Sequence, residues 1–258
     1  MPFSLHDFGL REMLRAGLDL RRRTADSRTL EALAGETVRY FYDECRDEGG
    51  GRECVLVRFY KTHPYGELPP ELQAFARGLA VGIPAPEMQC LTLLATAGDE
   101  PEWNARTASR GHQAIPLPSA QMVEQAPMIA ELVRSMGLDV SAVVAPHAEL
   151  VPALTGKTFN VFHVPEAEGS PYIPAQDEFV RQYRVRSVVG FGGILVTGDF
   201  YAVILFSRVP VTAEVANRFR NLALDLKLAI SASPTQGTFD PPSAADPHGA
   251  EPAGTAGA

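Results

Sequence analysis

Residues 185–208 constrain the fold more than any other part of the chain. Two strand-length apolar runs, Val185 to Leu195 and Asp199 to Arg208, are joined through Val196-Thr197-Gly198-Asp199. A Gly-Asp pair between two such runs is a tight-turn signature, so the runs form an antiparallel hairpin. An antiparallel pair exposes two faces, and both must then be covered or solvated by the rest of the chain.

The remaining segments supply that cover. Leu10, Met13, Leu14, Gly17 and Leu18 recur at helical spacing and predict an N-terminal helix within residues 1–26. A second helix is expected from a cap at Ser27, with Leu30, Leu33, Ala34, Thr37, Val38, Phe41 and Cys45 on its apolar side, broken by Asp47-Glu48-Gly49-Gly50-Gly51. Strands follow at Cys54 to Tyr60 and Met88 to Ala97, with a short helical piece near 71–78 between them. Residues 98–119 read as a loop, and Ser119 caps a helix expected over 120–136. Val140 to Ala145 is open between helix and strand, and Thr158 to Val164 reads as a strand. Thr212 opens the last helix, with Val215, Phe219, Leu222, Ala223, Leu226 and Ile230 buried. Residues 231–258 are rich in Pro, Gly, Ala and Ser and are expected to be disordered. The expected architecture is α+β, an antiparallel sheet with the helices of 10–45 and 211–230 on one face. Helix 120–136 and the loops 98–118 and 165–183 would cover a pocket on the other.

The formal net charge is −8, and Arg21-Arg22-Arg23 is the one short basic run. An acidic chain without clustered Lys and Arg is a poor partner for phosphate backbones or anionic membranes, so no nucleic acid and no membrane is expected. No apolar run reaches the length of a membrane span. Three cysteines, Cys45, Cys54 and Cys90, with no secretory leader pattern, point to a reducing compartment, and the protein reads as cytoplasmic.

The end of the chain resembles the GAF domain family. The residues that carry this are Val188-Val189-Gly190-Phe191-Gly192-Gly193-Ile194-Leu195, the Gly-Asp turn, Tyr201-Ala202-Val203-Ile204-Leu205-Phe206-Ser207, and Val209-Pro210-Val211-Thr212 leading into a helix. The stretches Val57 to Gly66, Leu91 to Pro101, Asn160 to Ala167 and Ser170 to Phe179 are similar to the N-terminal input segment of bacterial sensor histidine kinases. The resemblance covers most of residues 27–230. It implies a GAF-like fold, a signal-input role without catalysis, an unknown small ligand, and homodimerisation through terminal helices. The pattern departs from sensor kinases after Ile230, where no transmitter helix pair follows. The implied output is therefore a histidine kinase or other signalling protein acting in trans, unless the chain is a shortened relative whose output was lost. A ligand-free dimerisation domain and a GAF-type thiol redox enzyme are the alternatives.

Several motifs fall away on spacing. Gly190-Phe191-Gly192-Gly193 lacks the third glycine of a dinucleotide loop, since position 195 is Leu, and Gly156-Lys157-Thr158 lacks the first glycine of a P-loop, since position 151 is Val. No Cys-x-x-Cys or His-x-x-x-His pair marks a metal site. No Cys-His dipeptide offers a bilin attachment point. The cofactor, if one is bound, stays unassigned, with His163 on a strand as a possible axial haem ligand or a pocket residue. The thiols at 45, 54 and 90 fall on apolar stripes and read as small core residues.

Candidate ligand contacts come from two strand residues and two loops. Arg58 and Tyr60 share one face of their strand, away from Val55, Val57 and Phe59. One loop brings Trp103, as packing anchor or stacking platform, with Arg110 and His112 in Ser109-Arg110-Gly111-His112. The other brings Tyr172 and Asp177, with Arg184 and Arg186 flanking the next strand and either pairing Asp177 or Glu178 or meeting an anionic ligand.

Overall fold

The computed structural model describes residues 2–109, 111–146, 160–232 and 237–241. Its centre is a six-stranded sheet in the order β3-β2-β1-β6-β5-β4, antiparallel throughout. The strands are β1 (Cys54–Pro64), β2 (Gln89–Gly98), β3 (Ala114–Leu117), β4 (Phe162–Val164), β5 (Ser187–Ile194) and β6 (Phe200–Ser207). The expected hairpin is β5–β6. Its turn closes with Leu195 N donating to Asp199 O at 2.9 Å and Gly198 N to Leu195 O at 3.0 Å, and Gly198 takes φ +89°. That is left-handed backbone, which glycine adopts without penalty.

Three long helices cover one face. They are α1 (Leu10–Thr24), α2 (Leu30–Glu44) and α7 (Ala213–Ala232). The latter two pack on the sheet, whereas α1 rests on α2 and α7. The core between them includes Phe8, Phe41, Phe191 and Phe219, whose rings meet at 5.0–6.0 Å. Aromatic contacts of this kind add to the burial of the rings themselves. The cap of α2 is Thr29, whose hydroxyl accepts from Ala32 N at 3.0 Å, rather than Ser27. Thr212 caps α7 as expected, accepting from Val215 N at 3.3 Å.

The other face carries shorter pieces. The helix expected over 120–136 is two, α4 (Ala120–Val123) and α5 (Pro127–Ser135). Pro127 explains the break, because a proline disfavours helical backbone at the residue before it. Val140–Val144 is helix α6, capped by Asp139. Residues 114–117, expected as loop, form edge strand β3; Pro116 is tolerated there because an edge has a side that needs no donor. A further helix, α3 (Pro70–Leu79), lies beside β3. The sequence-expected strand at 158–164 is seen only as Phe162–Val164, and 158–159 lie outside the described residues. Within the stretch expected as tail, α7 continues to Ala232 and residues 237–241 lie against the start of α2.

Candidate functional site

The face of the sheet under α4, α5 and α6 is apolar except at its middle. Across five strands one row runs Phe162, Gly190, Ile204, Arg58 and Thr96; the next runs Gly192, Ala202, Tyr60 and Leu93. Gly190 lets α5 approach, since a Cβ there would sit 2.9 Å from Leu132 Cδ1. Leu56, Leu93, Ala202 and Ile204 ring the middle of the face. Arg58 is thus a guanidinium on an apolar floor.

Its bonding is incomplete. Arg58 Nη1 donates to the Tyr60 hydroxyl at 3.3 Å. Arg58 Nε is sealed from solvent and has no hydrogen-bond partner. No carboxylate among the described residues pairs with it. Opposite it on β2, Thr96 is buried and its hydroxyl is likewise without a partner. An unsatisfied buried donor costs about 1–3 kcal/mol, and a charged one more. Two such groups side by side are costly as structure.

His112 completes the group. Gln113 O accepts from Leu93 N at 2.8 Å, which pins the entry to β3 beside the row that holds Tyr60. His112 takes φ +62°, left-handed backbone that is uncommon outside glycine. The residue is exposed to solvent. Desolvation by the surrounding chain and the nearby Arg58 charge together push its pKa below the ordinary imidazole value. A neutral imidazole beside a guanidinium can donate from one nitrogen without adding a second positive charge.

The other sequence-predicted residues fall in different places. Trp103 stands at the rim of the same apolar layer, 5.7 Å from the Phe179 ring and 4.7 Å from Tyr183. Tyr172 packs edge-on to Phe162 at 6.5 Å. Asp177 is exposed and pairs with Arg181 on its own turn, and Arg186 points to solvent, so neither meets Arg58. His163 is on the opposite face, its Nε2 2.8 Å from Val211 O, where it anchors the approach to α7. Arg110 lies outside the described residues. Thr96 was missed in the sequence, where it sits inside an apolar strand; only the β1–β2 register sets it across from Arg58.

No family model matches this chain, and no curated protein matches it. Among solved structures, it is similar to a free methionine-R-sulfoxide reductase from Neisseria meningitidis in complex with its substrate, at 12% identity and TM-score 0.46, covering 90% of this chain and 98% of that one. It is similar to the phycoerythrobilin-bound GAF domain of a cyanobacterial phytochrome at 15% identity and TM-score 0.41, covering 85% and 94%. A third is the N-acylhomoserine lactone-dependent LuxR-family factor CepR2 from Burkholderia cenocepacia, at 11% identity and TM-score 0.37, covering 87% and 95%.

The chemistry of the chain's own thiols is plain. Cys45, Cys54 and Cys90 are all free and fully buried. Burial pushes the Cys45 thiol well up, aided by its neighbour Cys54, and pushes Cys90 up to about 12. A nucleophilic or redox-active thiol requires the opposite shift and access. Among the described residues no group of three or more His, Cys, Asp or Glu is placed to hold a metal ion, and no helix is long and apolar enough to cross a membrane.

Proposed function

We propose that this protein is a non-catalytic signal-input module of GAF type. Its ligand is a small anion held over Arg58, Tyr60, Thr96 and His112. The observation that carries this is Arg58: a guanidinium set on an apolar sheet face, bonded among the described residues to a phenol alone, with Nε buried and unpartnered. A carboxylate or phosphoryl oxygen supplies the acceptor that the fold withholds. The Thr96 hydroxyl and His112 then fix its orientation, and Leu56, Leu93 and Ile204 receive an apolar body. Buried, high-pKa thiols weigh against the redox-enzyme alternative.

The bias passes to a partner protein, of which a histidine kinase is one kind, through the helices on the far face. β1 and β6 carry the ligand contacts on one side and the Phe59–Tyr201 pair, 6.2 Å apart, on the other. Tyr201 donates to Ala223 O of α7 at 2.6 Å. A second reading, an interaction domain that dimerises with or without ligand, has its own observation. Leu10, Leu14 and Leu18 of α1 are 63, 58 and 53% exposed, and Leu224 and Leu228 of the adjoining α7 are 58 and 50% exposed.

Thermal shift separates these readings. Cyclic nucleotides, amino acids and aromatic carboxylates are screened against neutral purines, with wild type and Arg58→Met. A saturating anion at 100 times its Kd stabilises by about 2.7 kcal/mol, which raises Tm by several degrees. That rise should vanish in Arg58→Met. Anions that leave wild-type Tm unchanged, or stabilise both proteins equally, overturn the anion site.

A further inference from the structure

Residues 237–241 make a compact set of specific contacts at the start of α2. Leu30 N donates to Gly237 O at 3.1 Å and Glu31 N to Thr238 O at 2.8 Å. These are first-turn amides, which no intrahelical carbonyl can serve. Asp240 N donates to Glu31 Oε2 at 3.0 Å, and the Thr29 hydroxyl donates to the Asp240 carboxylate. Phe239 fills the space between them. Its ring lies 5.5 Å from that of His63 and 5.3 Å from the guanidinium of Arg106.

Arg106 is held by a fork to Glu31, Nε to Oε1 at 3.0 Å and Nη2 to Oε2 at 3.3 Å, so its flat face is fixed for an aromatic ring. Its side chain is 93% buried, and Nη1 has no hydrogen-bond partner. Beside the seat a groove of about 740 Å³ runs between α2 and the Leu94–Thr96 stretch of β2, with Arg106 and Asp240 both on its wall. The segment's own sequence has the form of a recognition motif: Gly237-Thr238-Phe239-Asp240-Pro241 sets one aromatic and one acid amid Ser, Pro, Gly and Ala. Such flanks have little apolar surface to hold them in place.

We propose that the start of α2 is a peptide-recognition site for a Thr-Phe-Asp segment, occupied in cis by residues 237–241. Phe239 is the anchor, the Asp240 carboxylate reads Thr29, and backbone carbonyls supply the helix with acceptors. The short connection from Ala232 keeps the segment at high effective concentration, so weak contacts suffice to hold it. A partner that presents an aromatic residue followed by an acid competes for the same seat, and its entry frees the chain's own tail and opens that end of the groove.

The test uses the full chain with Phe239→Ala, which vacates the anchor, and a synthetic peptide spanning residues 235–242. Amide exchange is followed at Leu30 and Glu31, with Phe59 and Leu205 as controls for the core. The vacated chain should exchange at least tenfold faster at Leu30 and Glu31, with the core unchanged. Added peptide should restore protection, and the same peptide carrying Phe239→Ala should not. Wild-type chain should ignore the peptide at the concentration that saturates the variant. Unchanged exchange at Leu30 and Glu31 in the variant overturns the proposal, as does a vacated chain that the peptide does not protect. Loss of core protection overturns it too, because the segment would then be part of the fold and not an exchangeable occupant.

Discussion

At the scale of single residues, the buried polar groups divide into those with a use and those with only a cost. His63 is 3% exposed and neither ring nitrogen has a hydrogen-bond partner. Burial, and then the charge of Lys61, pull its pKa down to about 3. The folded protein therefore holds His63 neutral where the unfolded chain would protonate it, near its ordinary 6.5. Between those values the unfolded state binds more protons, so stability rises with pH. The neutral-state stability is complete above about 6.5 and is lost as pH falls toward 3, at about 1.4 kcal/mol per pH unit. His63→Met cannot titrate and keeps the volume apolar. Urea unfolding at pH 7 and pH 5 should show a loss about 2 kcal/mol larger in wild type than in the variant. Equal losses would mean that His63 finds a proton in the folded state. Arg58 and Thr96 are the contrasting case. The two residues stand opposite each other in the β1–β2 register, and the proposed anion is what would offset their unpartnered atoms.

At the scale of elements, the β5–β6 hairpin depends on two glycines of unequal kind. A Cβ on Gly192 would overlap the Tyr201 carbonyl oxygen and come within 2.8 Å of Ala202 Cα, both backbone of the paired strand. A Cβ on Gly190 would come within 2.9 Å of Leu132 Cδ1, the end of a side chain that can give, and within 3.1 Å of Phe162 Cβ, a tight contact but with no backbone overlap. Gly192→Ala should therefore cost about 3 kcal/mol or more, and Gly190→Ala roughly 1 kcal/mol, in chemical denaturation. Comparable losses would contradict the register that places Gly192 opposite Ala202. This hairpin was also the most legible element in the sequence, because turn chemistry and alternation agree over short range. Arg58 and Tyr60 were legible for the same reason. What escaped depended on partners distant in sequence. β3 carries Pro116 and gains strand geometry only by pairing with β2. Thr96 acquires its meaning from Arg58, and the side on which His163 stands is set by the pairing of the three residues of β4 with β5. The order at 237–241 depends on α2, 200 residues earlier, and composition alone carries no sign of it.

For the whole molecule, the outward face of α1 is the largest departure from what helical periodicity suggested. The expected buried stripe was Leu10, Met13, Leu14, Gly17 and Leu18. The buried residues are instead Met13, Ala16, Gly17, Leu20 and Thr24. The stripe rotates because α1 seats on α2 and α7 and not on the sheet. Gly17 lies so close to Asp225 that a Cβ would overlap its carboxylate, and Arg21 pairs with the same Asp225. That seating leaves Leu10, Leu14 and Leu18 exposed along α1, and Leu224 and Leu228 are exposed on α7, the helix against which α1 packs. A surface of five leucines on two packed helices is the kind that a second copy covers, and Glu12, Arg15, Asp19 and Arg22 along α1 offer both signs of charge for an antiparallel, self-complementary contact. Leu14→Ser with Leu18→Ser should convert a dimer to a monomer in light scattering across a concentration series. Thermal stability at low concentration should move little, since exposed side chains contribute within about 0.5 kcal/mol. If the module relays its ligand through these helices, the anion found by thermal shift must also change the dimerisation constant of wild type, and by no more than its differential affinity for the two states. A wild-type chain that stays monomeric at all concentrations, with and without that anion, would leave the leucine face with another partner and remove the homodimer from the relay.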